Sequence, residues 1–300
     1  MDKTSQLKKI FLDKGISGSL FLCSMISILT TIGIIFVLFD ETWNFFKLVP
    51  LKDFFFGTRW EPLLIPKSFG VLPLVAGTFL IVVGAITFAL PLGLMVGIYL
   101  SQYASPNIRA WIKPAIEVLA GIPTVVYGYF ALTFITPLLK IIFPTIQVFN
   151  ALSGAIVVGI MILPLISSLC DDAFSSIPKS IKEGAYAMGA TSFEVITHVL
   201  IPGAASRILA AVILAVSRAI GETMAVTLAA GATPNLTINP LESIQTMTAY
   251  IVQISMGDIP AGGVEYMTSF AVGSLLFLMT LILNILGQKI FVKREFSTSN

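Results

Sequence analysis

"SFGVLPLVAGTFLIVVGAITFALPLGLMVGIYLSQYASPNI", residues 68–108, is an uninterrupted stretch of 41 residues without a charged side chain. A helix needs about 20 consecutive, mostly apolar residues to cross the hydrocarbon core of a bilayer. The stretch is therefore long enough to contain a membrane-spanning helix, and the rest of the chain is interpreted from that starting point.

Five further stretches qualify as membrane spans by length. Four are uncharged and at least 22 residues long, namely residues 15–39, 118–139, 141–170 and 266–288. The last, residues 206–231, qualifies only if Arg218 and Glu222 are tolerated within it. Because segments of tight apolar and polar alternation are absent from the sequence, a β-barrel is disfavoured. The sequence predicts an all-α integral membrane protein with six transmembrane helices.

The composition agrees with a multi-pass membrane protein. Hydrophobic residues make up 56% of the 300 positions and charged residues 11%, and the mean hydropathy is +0.93. These values exclude a soluble domain of ordinary composition. The first apolar stretch has 25 residues and no small-residue cleavage site, so we interpret it as a retained helix rather than a signal peptide.

The distribution of Lys and Arg predicts the orientation in the membrane. With a cytoplasmic N-terminus, 12 Lys and Arg residues fall inside and 5 outside, with Arg218 in the membrane. Cytoplasmic loops carry the excess of Lys and Arg. Both termini are therefore predicted to be cytoplasmic. The inside set is Lys3, Lys8, Lys9, Lys14, Arg109, Lys113, Lys179, Lys182, Arg207, Lys289, Lys293 and Arg294.

Two segments are predicted to lie outside the cytoplasm. Residues 40–70 interleave aromatic residues with charges, which is typical of a segment at the membrane interface, although a partner-docking role is the alternative. Residues 232–265 begin and end with turn-forming sequences and are predicted to be a loop with a short helix.

Arg218 and Glu222 are the charges that the apolar pattern does not explain. A charge at the centre of a membrane costs at least about 2.5 kcal/mol, so Arg218 is expected to face a polar cavity or a partner charge. Glu222 follows four residues later, on the same face of a continuous helix, where the two side chains can pair.

A transport pathway and a structural ion pair both explain these two charges. In the first case the guanidinium offers a planar fork of donors to a tetrahedral oxyanion, and Glu222 orients it until substrate competes. Ser217, Thr223 and Thr227 are candidates for further hydroxyl donors. In the second case the pair fixes helix packing, at a desolvation cost that an apolar contact would avoid.

Residues 171–203 form the longest predicted cytoplasmic loop. Ser180 with Glu183, and Thr191 with Glu194, have the spacing of capping boxes, which predicts the starts of two short helices. Gly189 is expected to end the first helix in a left-handed conformation, and Pro202 is expected to limit the second. The pattern leaves open whether their apolar residues meet a partner or the bundle itself.

This loop resembles the EAA loop of ABC-importer permeases, whose pattern is E-A-A-x3-G-x9-I-x-L-P. The matching positions follow without a gap, with Gly184, Val199 and Ile201 as conservative departures. The resemblance implies the type I ABC importer permease fold and a coupling helix that docks into a separate ATPase subunit. The coupling residues that it implies are Glu183, Gly184, Ala185, Gly189 and Pro202.

A narrower resemblance is carried by "RAIGETMAV" (residues 218–226), "AGIPTVVYGYF" (120–130) and "GVLPLVAGTF" (70–79). These look like the PstC-type permeases of phosphate ABC importers, and the resemblance implies a multi-pass protein of the plasma (inner) membrane. That resemblance implies a PstA-like second permease, a PstB-like ATPase dimer, an extracytoplasmic phosphate-binding protein and inorganic phosphate as partners, with no nucleic acid. It also implies a substrate pathway at Arg218 and Glu222, for which Ser217 and Thr223 are the additional candidates.

The chain is accordingly predicted to be a permease and not itself an enzyme. It contains no G-x4-G-K-[ST] motif, so ATP and magnesium are expected on the partner ATPase and no cofactor in this chain. The alternatives are a permease for phosphonate, sulfate or molybdate, an ion-driven carrier that uses Arg218 and Glu222 as a proton relay, and a subunit that signals phosphate status without moving phosphate.

The predicted organisation has three parts. Residues 1–70 form the first helix and the interfacial segment, residues 71–290 form the permease core with the coupling loop at 171–205, and residues 291–300 form a cytoplasmic tail.

Cys23 and Cys170 fall in different helices, and His198 is the single histidine, so neither a disulfide framework nor a metal site is expected. Glu117 is expected to be an interfacial carboxylate near Lys113.

Overall fold

Within the residues that a computed structural model of the chain describes, six helices are long and apolar enough to cross a membrane, which confirms the predicted number of spans. The structure describes residues 3–260 and 262–298. The side chains of Lys3, Lys8, Lys9, Lys14, Lys293 and Arg294, which entered the charge count, lie outside the described part, as do residues 299–300 of the predicted tail. The spans are Gly15–Leu48, Leu72–Tyr103, Thr124–Ile142, Ala151–Ser175, Ser192–Ile220 and Val264–Gly287.

The secondary structure is almost entirely helical. The α-helices are α1 Lys3–Leu48, α2 Leu51–Phe56, α3 Leu72–Ile98, α4 Pro106–Ala120, α5 Thr124–Phe130, α6 Thr136–Ile142, α7 Ala151–Ser175, α8 Lys179–Ala187, α9 Ser192–Glu194, α10 Ile201–Ile220, α11 Met224–Ala230, α12 Met247–Met256 and α13 Val264–Thr298. The turns Tyr99–Tyr103, Ala131–Ile135 and Val195–Leu200 are π-helical. Strands β1 Trp60–Glu61 and β2 Ser68–Phe69 pair antiparallel.

Helices α3 and α7 form the centre of the bundle and pack through glycines of α3. A Cβ atom on Gly93 would lie 2.6 Å from Ile166 Cγ2, and one on Gly97 would lie 2.7 Å from Cys170 Cβ. In lipid, where apolar burial does not drive association, small residues allow the close backbone approach that stabilises helix pairs. The two helices therefore run side by side in the same direction and support the rest of the core.

The loops lie at two ends of the bundle. We call the end formed by residues 99–123 and 171–200 the loop end, and the end formed by residues 40–70, 143–150 and 231–263 the far end. At the loop end Lys182 Nζ donates to Gln102 Oε1 (3.3 Å) and Arg109 pairs with Asp171. At the far end Lys67 pairs with Glu265, so each end is joined by its own polar contacts.

The aromatic residues at the far end divide into two groups. Phe45, Phe54 and Trp60 are buried in a cluster that includes Tyr250, whose ring is perpendicular to that of Trp60 at a centroid distance of 4.9 Å. The prediction that these aromatic residues lie among lipid headgroups is wrong for this group, because they fill a protein core. Trp43 is exposed and remains compatible with interfacial anchoring. The short helix predicted within residues 232–265 is confirmed as α12.

Helix α4 is a separate element that the apolar pattern did not reveal. It begins at Pro106 after Ser105, whose Oγ accepts a hydrogen bond from the Ile108 N–H (3.4 Å). It ends at Ala120, and a bend at residues 121–123 separates it from α5. The third span therefore begins at Thr124, later than its uncharged stretch indicates, and Glu117 lies in α4.

Candidate functional site

The predicted span 206–231 is interrupted inside the bundle. Helix α10 ends at Ile220 and α11 begins at Met224. Glu222 Oε1 accepts a hydrogen bond from the Ala225 N–H (3.1 Å), so its carboxylate satisfies one of the free donors at the start of α11. The prediction of one continuous helix is wrong here, and we call residues 221–223 the helix break.

Arg218, at the end of α10, nevertheless forms an ion pair with Glu222 in the helix break. Arg218 Nη1 lies 3.7 Å from Glu222 Oε2, which is within ion-pair range but beyond an ordinary hydrogen bond. The Glu222 side chain is 3% exposed, whereas that of Arg218 is 50% exposed. Glu222 is thus held in place by the backbone, and Arg218 is free to offer its other donors.

The guanidinium lies near the middle of the bundle in depth. Arg218 Nη2 is 3.9 Å from the sulfur of Met161, which lies close to the midpoint of α7. A charge at this depth is costly in lipid, so intramembrane Arg residues face a water-filled cavity or another protein surface. Because Arg218 is exposed on the surface of the single chain, that cavity or surface lies beside this bundle rather than within it.

The predicted hydroxyl donors differ in their placement. Ser217 Oγ donates to Asn284 Oδ1 of α13 (3.1 Å), so it serves a contact between helices. Thr223 Oγ1 donates to the Gly221 carbonyl (3.1 Å), and Thr227 Oγ1 donates to the Thr223 carbonyl (2.7 Å). The Thr223 hydroxyl is thus bonded to the backbone of the helix break, and the Ser217 hydroxyl is directed to α13.

Thr248 is a residue of this site that the sequence did not indicate. Its hydroxyl donates to the Glu222 carbonyl (2.7 Å) and its side chain is buried. It lies in α12, whose start is also held by a bond from the Met247 N–H to Thr78 Oγ1 of α3 (3.1 Å). The first turn of α12 is thereby attached directly to the helix break. Thr248 and Glu222 are 26 residues apart in sequence, so the residues around Thr248 could not have predicted its contact with the helix break.

The exposed loop at the loop end consists of α8, a glycine turn and the capped start of α9. Gly189 has φ +88°, which confirms the predicted left-handed turn. The Thr191 and Glu194 capping box is confirmed: Thr191 N–H donates to Glu194 Oε2 (2.7 Å) and Glu194 N–H donates to Thr191 Oγ1 (3.4 Å). The box predicted at Ser180 is wrong, because α8 begins at Lys179 after Pro178.

Pro202 does not limit the second helix. The helical backbone continues from Ser192 to Ile220 through the π-helical turn Val195–Leu200. Proline cannot donate a backbone bond but is tolerated in the first turn of a helix, and the wider turn before it adjusts the bonding ladder. The prediction of a short second helix is therefore wrong, and the exposed loop is joined by continuous helix to Arg218.

Apolar side chains of this loop are open to the surroundings. Met188 is 89% exposed and Phe193 is 72% exposed, and Tyr186 and Ile181 are also exposed. Glu183 and Gly184 are exposed on the same helix, and a Cβ on Gly184 would meet no atom within 4 Å. Ala185 packs partly against the core. Apolar exposure of this kind at the end of a bundle is typical of a surface that binds another protein.

A group of charged residues joins α4 to the end of α7. Lys113 Nζ lies 3.1 Å from Asp172 Oδ1 and 3.4 Å from Asp171 Oδ2, so its expected pairing with Glu117 is replaced by contacts to α7. The hydrogen bond to Asp172 raises the pKa of Lys113 and outweighs the opposing effect of burial.

His198, the single histidine, has its Nδ1 3.0 Å from Thr197 Oγ1. Within residues 3–260 and 262–298, no group of three or more His, Cys, Asp or Glu side chains is suitable for a metal ion.

Comparison with known sequences places most of the chain in one family. Residues 89–294 match the family described as "Binding-protein-dependent transport system inner membrane component". The probable ABC transporter permease protein YqgH of Bacillus subtilis is 35% identical over 81% of this chain and 78% of its own length. The phosphate transport system permease protein PstC of Mesorhizobium japonicum is 30% identical over 89% of this chain and 86% of its own length.

Comparison with solved structures supports the fold. An inward-facing conformation of the MetNI methionine ABC transporter has a chain that matches with a TM-score of 0.56, over 75% of this chain and 94% of that one. The sequence identity is 17%, so the similarity concerns the fold alone.

Proposed function

The chain belongs to the family of binding-protein-dependent transport system inner membrane components, and from that premise we propose that it imports inorganic phosphate as the PstC-like permease subunit of an ATP-driven complex. It is a multi-pass protein of the plasma membrane and a permease subunit of an ABC importer. Phosphate as the substrate, the identity of the partners and the ATP-driven cycle are the proposed part. Relatives named PstC, 30% identical over most of the chain, support that choice.

The half-exposed Arg218 at mid-depth is the observation that carries the proposal. Its Nη1 is paired with Glu222 and its Nη2 has only the weak acceptor sulfur of Met161 as a partner, while half of the side chain is exposed on the surface of the chain. The planar guanidinium fork can donate two parallel hydrogen bonds to a tetrahedral oxyanion. An anion in a cavity beside α10 would also offset the positive charge of Arg218 during its passage. We therefore assign Arg218 to the binding of phosphate in the pathway, and Glu222 to the orientation of Arg218.

The same proposal gives each surface of the chain a partner. A PstA-like second permease covers the Arg218 surface, so that the pathway runs between two subunits. A PstB-like ATPase dimer, which carries ATP and magnesium, contacts the exposed loop around Met188 and Phe193. An extracytoplasmic phosphate-binding protein delivers phosphate at the far end. In this arrangement the loop end and both termini are cytoplasmic, as the Lys and Arg distribution predicts.

Alternating access follows from the connection of the exposed loop to the site. Glu183, Gly184, Ala185, Gly189 and Pro202 lie in or just after this loop, and continuous helix leads from Ser192 to Ile220. Closure of the ATPase dimer on the loop would displace this helix and with it Arg218. In this proposal the ATPase subunits bind and hydrolyse ATP, and the permease responds to their movement.

Uptake of radiolabelled phosphate into proteoliposomes that contain the purified complex tests the proposal. We expect ATP-dependent accumulation when the binding protein is present, and loss of accumulation when ATP is omitted. Accumulation that depends instead on a proton gradient would favour an ion-driven carrier. Absence of phosphate uptake from an assembled complex that hydrolyses ATP would exclude phosphate as the substrate.

Competition by other oxyanions separates the nearest alternative. A tenfold excess of unlabelled phosphate should lower the signal about tenfold by competition, whereas the same excess of sulfate, molybdate or a phosphonate should leave most of it. Stronger inhibition by one of those anions than by phosphate would assign the complex to that anion. A complex that binds phosphate and changes its interactions without any uptake would support a signalling role.

A further inference from the structure

We propose that Asp171 is a positioning residue for transport, because its ion pairs make α4 follow the end of α7. In this proposal Asp171 conveys movement of the exposed loop to Glu222 by a route separate from α10. The inference rests on the proposed function for the partner that moves the loop. Its steps, however, are contacts within this chain.

The first step is a buried carboxylate held by two cations of α4. The Asp171 side chain is fully buried, and its Oδ2 lies 2.8 Å from Arg109 Nη2 and 3.4 Å from Lys113 Nζ. Ser175 Oγ donates to its Oδ1 (3.4 Å). A buried carboxylate that loses its cations is strongly destabilised, so the contact resists opening. Helix α4 is therefore expected to stay attached to α7 when either helix moves.

The second step joins Asp171 to the exposed loop. Asp171 lies in the last two turns of α7, and only residues 176–178 separate α7 from α8. This connection is held by bonds from Ile177 N–H to the Phe174 carbonyl (3.3 Å) and from Ser176 Oγ to the Ala173 carbonyl (2.7 Å). A displacement of α8 thus acts on the end of α7 through a short, bonded turn.

The third step crosses the bend between α4 and α5. Tyr127 of α5 donates its hydroxyl to the Leu119 carbonyl of α4 (2.7 Å), and Gly121 N–H donates to the Val118 carbonyl (3.0 Å). Tyr127 is mostly buried, so its hydrogen bond is protected from competition by solvent. The two helices are consequently linked across residues 121–123 and do not move as free segments.

The last step brings α5 against α11. A Cβ on Gly128 would lie 2.8 Å from Leu228 Cβ and 3.1 Å from Ala225 Cα, so the backbones are in direct contact. Ala225 is the residue whose N–H binds Glu222 Oε1. Movement of α5 is therefore transmitted to the backbone group that fixes the Glu222 carboxylate.

The two routes end on opposite members of the ion pair. Helix α10 leads from the exposed loop to Arg218, whereas α7, α4, α5 and α11 lead to Glu222. Because the pair is already long at 3.7 Å, a small difference in movement between the routes changes the contact. Asp171 is inferred to set this difference, and thus to determine when Arg218 is released to substrate.

The test measures phosphate taken up per ATP hydrolysed by the complete complex in proteoliposomes. For Asp171→Asn we expect this ratio to fall about tenfold while ATP hydrolysis continues. A loss of that size corresponds to the changes in coupling free energy that substitutions within a contact network produce. Arg109→Gln should have a similar effect, the double variant should be no worse than either single one, and Arg109→Lys should retain most of the ratio.

Asp172→Asn is the matched control. Asp172 is the adjacent carboxylate and contacts Lys113 alone, and its side chain is 60% exposed, so its ion pair is worth little. It should keep the parent ratio. A parent-like ratio in Asp171→Asn, an equal loss in both variants, or uptake and ATP hydrolysis that fall together would overturn the proposal.

A distance measurement gives a result that does not depend on phosphate. Spin labels on Trp111→Cys of α4 and Ser180→Cys of α8, in a Cys23→Ser background, report whether the two helices move together. With Asp171 intact, the label distance should be the same with and without a non-hydrolysable ATP analogue; in Asp171→Asn it should differ. If the parent complex takes up no phosphate, the proposed function is wrong, but the distance between the labels still tests whether α4 follows α8. A label distance that changes in the parent when the ATP analogue binds would contradict the inference.

Discussion

The carboxylate of Glu222 accepts a hydrogen bond from the Ala225 N–H at 3.1 Å, so one side chain both caps the start of α11 and pairs with Arg218. These two tasks can be separated by substitution. Glutamine keeps an oxygen for the helix start but loses the charge, whereas alanine removes both.

Glu222→Gln should therefore keep the stability of the complex but slow uptake, and Glu222→Ala should reduce both. The loss of a helix cap costs about 1 kcal/mol, and it leaves the start of α11 unsatisfied. Thermal unfolding of the detergent-solubilised complex and phosphate uptake are the two measurements. If Glu222→Gln unfolds at as low a temperature as Glu222→Ala, a neutral side-chain oxygen at position 222 is not sufficient to cap the start of α11.

Arg218→Ala should abolish uptake while the complex still assembles. The guanidinium is half-exposed and touches the buried core only through the sulfur of Met161, so its removal deletes the anion donor with little effect on packing. Arg218→Lys retains a positive charge but not the bidentate fork, and should keep only a small part of the activity. Normal uptake by assembled Arg218→Ala would remove this residue from the pathway.

Gly189→Val should uncouple ATP hydrolysis from uptake. At φ +88° a β-branched residue is strained, so the turn between α8 and α9 is expected to change its shape. Gly184→Ala is the matched control, since an added Cβ meets no atom within 4 Å and the helix favours alanine. ATPase activity and uptake measured on the same proteoliposomes test this; full coupling in Gly189→Val would exclude a role for the turn.

Glu183→Ala should likewise lower uptake per ATP hydrolysed. Glu183 is exposed on α8, so its removal is not expected to disturb the core, and any loss reports the contact with a partner. The Glu183→Ala complex should have the same size-exclusion elution volume and the same unfolding temperature as the parent complex. Coupling indistinguishable from that of the parent would show that the Glu183 carboxylate is dispensable at this surface.

Gly93→Val should destabilise the bundle by about 1–3 kcal/mol, the usual cost of overpacking a core. The new Cβ would lie 2.6 Å from Ile166 Cγ2 and 2.9 Å from Ile166 Cβ, and a side chain on α7 cannot give way without moving its helix. Gly33→Val, on the open surface of α1, is the control because its Cβ meets nothing within 4 Å. Equal unfolding temperatures for the two variants would contradict the packing of α3 on α7.

Local sequence was sufficient for features that depend on length and on neighbouring residues. The six spans follow from apolar length, and the turn at Gly189 and the cap at Thr191 follow from residues within three or four positions. Arg218 and Glu222 could be paired because their separation is short, and the structure keeps that pair although it breaks the helix between them.

Features set by distant contacts could not be predicted in this way. The helix break is stabilised by Thr248 from α12, and Lys113 bonds to α7 instead of Glu117 because Asp171 and Asp172 are brought to it by the fold. Helix α4 was missed because it follows a long uncharged stretch directly. The exposure of Arg218 on the side of the bundle also depends on how helices pack, which spacing along one helix does not reveal.

The exposure of Arg218 bears on how the protein is made. A newly inserted copy presents a guanidinium to lipid at mid-depth, which costs at least about 2.5 kcal/mol until another subunit or a water-filled cavity covers it. Assembly removes that cost and so acts as a thermodynamic checkpoint during biogenesis. A copy that stays unassembled keeps this cost, so the same guanidinium that we assign to the pathway also favours association with a second subunit.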